Sequence, residues 1–384
     1  MKDLNICLVS DTVYDVNGVS RFIQDFSKEA IKFNKNFNVL TSTRKNHYEK
    51  IENIHNIKPW FTIKMPFYKS LDLVFPNFFK IKRKIKELSP DLLHISTPGT
   101  VGLCALVSAK LLKIPVVGIY HTDFPAYMYK NTKSKFVRWG TIKFLKLFYG
   151  SYKALFSRSN EYLETINKQM GFSFDDLYLL KAGINIDSFD KKYKDDTIWE
   201  EYGIDKNSFK VLYTGRISVE KNVDKLIKLW RREKFYNCDL ILVGDIEINK
   251  LDINSLKQNN IFFLGRKQEL VLSKLYASSD CFIFPSTTDT LGQVVMEAMS
   301  SGLPVIVTNK GGPKTFVKKD LGYIVDINSF EEVSNAIKEL SLKDEVYNSK
   351  KVAAYKFMRD KSISHSFIDF WENNLKIFQK IRSE

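Results

Sequence analysis

Two carboxylates eight positions apart, Asp289 and Glu297, and two cations five apart, Arg216 and Lys221, are the residues of this chain with the clearest chemical use. Asp289 lies in the polar stretch Thr287-Thr288-Asp289-Thr290, after the apolar run Cys281-Phe282-Ile283-Phe284. Glu297 lies about a turn inside the helix predicted for 293–301, which turns Val294, Val295, Ala298 and Met299 inward. A carboxylate accepts from both members of a vicinal hydroxyl pair, such as a ribose presents. Free amides at the start of the helix can hold an anion or sugar oxygens. On spacing alone, a solvated helix Glu and a loop Asp near a cap explain the pair equally well. Arg216 ends the run Val211-Leu212-Tyr213-Thr214-Gly215-Arg216, and Lys221 is placed at the start of a helix running to about Arg232. Together they can neutralise a pyrophosphate, the Arg bidentately. An Arg and a Lys this close are also ordinary surface neighbours.

His121 is a third candidate. It ends the strand predicted for 115–121 and opens His121-Thr122-Asp123-Phe124-Pro125, so it stands where strand ends present side chains to a ligand. A histidine satisfied by a backbone partner fits the same position. Gly18, in the loop Tyr14-Asp15-Val16-Asn17-Gly18, is a weaker candidate for a phosphate turn.

These residues need a scaffold that brings strand ends together. Apolar runs near 4–9, 37–42, 91–97, 115–121 and 177–183, then 211–216, 239–244, 261–265, 281–284 and 304–307, alternate in part with helical periodicity. Val19, Phe22, Ile23, Phe26 and Ala30 mark the first such helix. That βα alternation predicts an α/β fold with parallel, doubly wound sheets. A length of 384 residues suits two domains. The stretch 184–208, with IDSFDKKYKDDTIWEEYGIDKNS, is predicted as a charged connector. Phe367, Phe370, Trp371, Leu375 and Phe378 predict a terminal helix.

No run approaches the ~20 apolar residues that span a bilayer, and no basic-then-apolar leader opens the chain. Cys7, Cys104, Cys238 and Cys281 are scattered, which argues against a disulfide or zinc framework and fits a reducing cytoplasm. The net charge of +15 asks for an anionic partner. Part of that charge is concentrated. From Phe124 to Asn160 there is no acid but eight basic residues, interleaved with Phe136, Trp139, Phe144, Phe148 and Tyr149. From Lys58 to Lys86 there are eight basic residues against Asp72 alone, with Trp60, Phe61, Phe67, Phe75, Phe78 and Phe79 among them. Basic and aromatic residues on amphipathic helices suit an anionic lipid interface. A solvated face over an aromatic core is the plainer account. Nucleic acid is not the expected partner, because no recognition motif accompanies the charge.

The run TDTLGQVVMEAMSSGLPVIV resembles the acidic-x7-Glu signature of the retaining glycosyltransferases of family 4, which have the GT-B fold. Asp289 stands for the usual first Glu, one methylene shorter, and Leu291 for the usual aromatic before glycine, while Glu297 matches unchanged. GRISVEKNVDKLI is similar to the family's diphosphate-binding segment, and HTDFPAY to a segment of its lipid- and glycolipid-directed members. The resemblance implies two Rossmann-like domains with parallel sheets facing across a donor cleft. An acceptor-side domain would span 1–184, a nucleotide-sugar domain 185–361, and a helix over 362–384 would cross back to the first. It implies transfer of an α-hexose from UDP- or GDP-hexose to a membrane lipid such as diacylglycerol or a glycolipid, at the cytoplasmic face. The catalytic residues would be His121, Asp289, Arg216 and Lys221. The donor would be held by Gly18, Arg216, Lys221, Leu291, Gly292 and Glu297. No metal and no cofactor beyond the nucleotide sugar would be needed, since two cations serve the diphosphate. A soluble or polyprenyl-linked saccharide acceptor, a catalytically silent membrane-surface protein of the same fold, and a GT-B epimerase remain the alternatives.

Overall fold

The computed structural model describes residues 4–15, 17–45, 50–65, 68–121, 123–248, 251–289 and 291–383, without the side chains of 64, 65, 68–72, 130, 131 and 254. Val16, Phe67, Thr122 and Thr290 therefore lie outside the described residues, as do the side chains of Lys64, Lys69 and Lys130. The chain forms two compact units, Met1–Ala182 with Ile363–Glu384, and Gly183–Ser362.

The strands of the first unit are β1 (Ile6–Val9), β2 (Phe37–Thr41), β3 (Ile54–Asn56), β4 (Phe61–Met65), β5 (Tyr68–Phe75), β6 (Leu92–Ile95), β7 (Val116–Tyr120), β8 (Ala154–Ser157) and β9 (Leu177–Leu179). Seven of them form a parallel sheet in the order β3-β2-β1-β6-β7-β8-β9, and β4 and β5 pair as an antiparallel hairpin. The sheet is buried on both faces, which is why its central strands are almost wholly apolar. Helices Phe78–Leu88, Thr100–Leu112, Lys135–Tyr149 and Asn160–Met170 share one core with it. Helix Gly18–Lys32 and the terminal helix Ile363–Ser383 share the other. The terminal helix is fixed there by edge-on contacts of Phe26 with Phe367 and Phe370, and by a 2.5 Å hydrogen bond between His94 and Asn374.

The second unit holds β10 (Phe209–Thr214), β11 (Cys238–Val243), β12 (Ile261–Gly265), β13 (Cys281–Phe284), β14 (Val305–Thr308) and β15 (Gly322–Val325), parallel in the order β12-β11-β10-β13-β14-β15. Each parallel sheet thus reverses its strand order once, between β1 and β6 and between β10 and β13. Ligands of open α/β sheets bind beyond the carboxyl ends of strands at such a reversal. Most expected strands appear within a residue or two. The hairpin, β3, β8 and β15 are additional, being short or broken by polar residues that blur the period.

Two expectations need correction. The stretch 184–208 is no free connector: Phe189, Ile198, Trp199 and Ile204 are buried, and Trp199 donates to the Ser278 carbonyl at 3.2 Å. Most of its charges are the solvent side of an apolar anchor, while Asp190 is buried against Arg359 at 2.9 Å. Helix Val223–Glu233 begins two residues after Lys221, because Asn222 takes a left-handed conformation (φ 57°) at its start. Lys221 therefore belongs to the preceding turn.

Candidate active site

In the second unit, the loops after β10 and β13 carry the predicted residues to the sheet reversal. Gly244 (φ 142°) is confined to glycine because a Cβ would lie 1.9 Å from the Gly215 carbonyl oxygen. That close pass joins the loops after β10 and β11, with Ile217 donating to Asp245 and Glu247 to Ile217. It also puts Glu247 on Arg216. The guanidinium contacts Glu247 at 3.0 Å and Glu220 at 3.1 Å. Lys221 Nζ meets Asp289 Oδ2 at 2.7 Å, and its side chain is 13 % exposed against 26 % for Arg216. The predicted cations and the predicted loop acid thus form one cluster.

Asp289 is held there by its backbone. Gly312 donates to its carbonyl at 2.7 Å, Asn222 Nδ2 to the Pro285 carbonyl at 2.9 Å, and Thr308 to the Ser286 carbonyl at 3.0 Å. Gly292 starts helix Gln293–Ser300 at φ 71°, and a Cβ there would meet Pro313 at 2.5 Å. Backbone angle and space both require glycine at this point. Leu291 is half-buried beside it.

Glu297 is not a solvated helix residue. It is 1 % exposed and accepts from Tyr276 Oη at 3.0 Å, with Thr214 Oγ1 2.5 Å from that oxygen. A buried carboxylate held by hydroxyls is a prepared acceptor, since bonds to a charged group are the strong ones. Glu220, Glu247, Tyr276 and Thr214 were not expected. Of these, Glu220 had a readable signal, four residues after Arg216 in GRISVEK. The others arrive from separate strands or helices. Among the described residues, no group of three or more His, Cys, Asp or Glu side chains is placed to hold a metal.

In the first unit, Asn17 caps helix Gly18–Lys32 by accepting from Ser20 at 2.8 Å, and Gly18 is its exposed first residue. His121 follows β7, buried, with Nε2 2.8 Å from Ser96 Oγ and its ring 5.6 Å from Phe22. Burial, and secondarily the Arg158 charge, push its pKa well below the usual histidine value, so it is neutral at pH 7. Asp123 does not serve His121; it caps the next helix, accepting from Ala126 at 3.0 Å.

The basic segment after His121 folds as helices Phe124–Thr132 and Lys135–Tyr149. Leu145, Phe148 and Tyr149 are buried, while Phe136 (77 %) and Leu147 (81 %) stand out with Trp139, Phe144, Lys135, Arg138, Lys143 and Lys146. In the earlier segment Trp60, Phe61, Ile63 and Phe79 are exposed. Sequence periodicity missed a stripe on helix Thr100–Leu112: Leu103, Val107 and Leu111, four residues apart, all exposed. Among the described residues, no helix is long and apolar enough to cross a membrane.

Comparison with known proteins bears on both units. Residues 16–188 match the family described as Glycosyltransferase Family 4, and residues 194–357 that described as Glycosyl transferases group 1. The chain is 31% identical to a sulfoquinovosyl transferase of Arabidopsis thaliana over 66% of its own length and 50% of that protein's. It thus spans about half of that relative. It is 24% identical to the alpha-monoglucosyldiacylglycerol synthase of Streptococcus pneumoniae, over 79% of this chain and 70% of that one. Among solved structures, Anabaena HepE in complex with UDP superimposes with a TM-score of 0.76 at 17% identity, covering 97% of this chain and all of HepE.

Proposed function

Since the chain belongs to glycosyltransferase family 4, we propose that it is a retaining hexosyltransferase that moves an α-hexose from a nucleotide diphosphate sugar to a lipid acceptor at a membrane surface. The observation that carries this reading is the cluster joining Arg216, Lys221 and Asp289, at the strand reversal where a ligand is expected. A diphosphate would exchange for the acids on Arg216 and share Lys221 with Asp289. Glu297 would take the ribose hydroxyls. Asp289, with the backbone at Leu291 and Gly292, would take the sugar. We assign His121 and Gly18, both in the first unit, to the donor as well.

In the transfer step, the acceptor hydroxyl oxygen bonds to the anomeric carbon on the face that the diphosphate leaves. The C–O bond to phosphate breaks, its electrons staying on the phosphate, and that phosphate takes the hydroxyl proton. Arg216 and Lys221 then stabilise charge that grows as the bond breaks, which is where catalysis is gained. A neutral His121 can accept or donate one hydrogen bond to a sugar hydroxyl without adding charge. The pneumococcal relative, a monoglucosyldiacylglycerol synthase, supports a glycolipid product, and the exposed basic and aromatic flank of the first unit supports a peripheral, cytoplasmic-face site.

The test uses radiolabelled UDP- and GDP-hexoses with lipid extract in anionic vesicles. Label should enter the organic phase, and vesicle binding should fall with salt, since exposed charges are screened over ~10 Å at 0.1 M. Reversing Lys133, Lys135, Lys143 and Lys146 to Glu should abolish binding and lipid transfer while sparing nucleotide affinity. Wild-type transfer by that variant to an embedded acceptor would reduce the surface to a solvated face.

A further inference from the structure

Three adjacent strands of the first sheet, β6, β7 and β8, are followed directly by Ser96, His121 and Arg158 in turn. The ends of β7 and β8 are in register, Tyr120 opposite Ser157, so His121 and Arg158 leave the sheet side by side. Ser96 occupies Nε2 of His121, and His121 is neutral. Of these three residues Arg158 therefore carries the positive charge. It is half-buried, with its guanidinium carbon 4.4 Å from the centre of the Phe22 ring, in the second turn of helix Gly18–Lys32. Among the described residues, no carboxylate or carbonyl is hydrogen-bonded to this guanidinium. Asp25 acts on it through space and is shared with Arg21 at 4.0 Å. Burial lowers the Arg158 pKa to about 10, which leaves it charged at neutral pH.

A guanidinium stacked on an aromatic ring keeps its N–H edges available for a planar or tetrahedral anion. Elsewhere on these two sheets the corresponding cation is answered by protein, as Arg216 is by Glu220 and Glu247. A partly buried cation left without such an answer costs stability unless it serves a ligand. The amino end of helix Gly18–Lys32, one turn before Phe22, adds the same sign of potential. We propose that Arg158, seated on Phe22 beside His121, is the binding residue for a phosphate group carried by the acceptor. This deepens the transferase reading and rests on it: the acceptor is a phosphate-bearing lipid, either a phospholipid headgroup or a polyprenyl diphosphate saccharide, rather than a neutral diglyceride. Phosphate fits better than carboxylate because the stacked guanidinium offers two N–H groups along one edge, and a phosphate has oxygens left over for the helix amides.

The first experiment needs no turnover. sn-Glycerol 3-phosphate is titrated by calorimetry into the full-length protein with its nucleotide site saturated by UDP, or by GDP if UDP does not bind. Arg158→Met should weaken this binding at least tenfold and Arg158→Lys by less, with nucleotide affinity and thermal midpoint reporting an intact fold. The second measures transfer in dodecylmaltoside micelles, which carry neither phosphate nor charge, to phosphatidylglycerol, to a polyprenyl diphosphate saccharide and to diacylglycerol. A phosphate-bearing acceptor should be preferred, and Arg158→Met should collapse that preference tenfold or more; the preferred one of the two identifies the source. Glycerol phosphate binding that is absent from wild type or unchanged in Arg158→Met overturns the proposal, as does a preference unaffected by the substitution. A lowered melting point with unchanged phosphate binding would make Arg158 a structural stacking residue only. If neither nucleotide binds and no acceptor is modified, the transferase reading has failed instead, and the glycerol phosphate titration still reads the Arg158 site by itself.

Discussion

Replacing Lys221 by Met separates binding from chemistry in the second unit, because Lys221 has one short partner, Asp289 at 2.7 Å, and little exposure. A phosphate oxygen taking that position would interact with the ammonium by ~4 kcal/mol at ~4 Å with an effective dielectric of ~20. Part of this is already spent on Asp289, so the net loss of UDP affinity should resemble that of one charged hydrogen bond, ~1.5–3 kcal/mol. That corresponds to roughly 10- to 150-fold in Kd. Transfer should fall further, by a factor on the order of 10²–10³, because the diphosphate gains charge as the glycosidic bond breaks. Asp289→Asn should act with opposite signs. It releases Lys221, so UDP affinity should rise ~2- to 5-fold, as expected for removing a partly exposed ion pair, while transfer falls because the sugar loses its acceptor. The double variant should recover part of the lost UDP affinity and none of the transfer, with a coupling of ~0.5–3 kcal/mol. Calorimetric UDP binding and release of nucleoside diphosphate supply the two measurements. UDP affinity within twofold of wild type in Lys221→Met, or strictly additive effects in the double variant, would refute the placement of both residues.

Glu297→Ala should weaken UDP and uridine binding alike, by ~1.5–3 kcal/mol, since the contact is to the ribose. Tyr276→Phe should cost less; uridine affinity unchanged in both would remove the pair from the site. Transfer should survive EDTA, because the diphosphate charge is met by Arg216 and Lys221; full loss restored by Mn²⁺ would show that a metal does that work. Folding stability should fall on acidification. His94 is pushed to about 4 by burial, with Asn374 accepting from its Nε2, and His121 is also well below its usual value. Between about pH 6.5 and 4 the unfolded chain therefore binds protons that the folded one does not. His94 removes ~1.4 kcal/mol per pH unit across that window, His121 adds a loss of the same sign below about pH 6.5, and neither contributes above it. Urea midpoints at pH 7 and pH 5 should differ in the wild type and differ less in His121→Gln; equal differences would exclude the His121 contribution.

The fold was legible in most central strands, since a strand buried on both faces must be an unbroken apolar run, as Ile6–Val9 and Cys281–Phe284 are; Ala154–Ser157, only four residues long, is the exception. Legibility fell at edges. β3 and β15 pair on one side only and tolerate His55, Asn56 or exposed Ile324, so their composition does not announce them. The candidate site divides in the same way. Asp289, Gly292 and Glu297 belong to one β-loop-α unit and could be read together. Glu247 could not, because it reaches Arg216 only through the glycine-to-glycine pass of Gly244 over Gly215. Nor could the burial of Glu297, which depends on a tyrosine from a preceding helix and a threonine from β10.

That illegible part determines how the legible residues can act. Arg216 and Lys221 face three carboxylates, Glu220, Glu247 and Asp289, so without a donor the cluster carries one negative charge more than positive. A diphosphate can enter only if acids leave. The two on Arg216 belong to long, partly exposed side chains that re-enter water at little cost. Asp289 has the shorter side chain and a backbone held by Gly312, so it cannot withdraw far. Donor binding should therefore strip Arg216 of its protein partners while leaving Asp289 beside Lys221. An acid kept next to the leaving group by its backbone, with one carboxylate oxygen on the lysine, has the other in position for a sugar hydroxyl. The aspartate that shortens the family's glutamate is in this way tied to the same lysine that would hold the diphosphate, and the loop's backbone bonds, rather than side-chain length, set where the sugar is met.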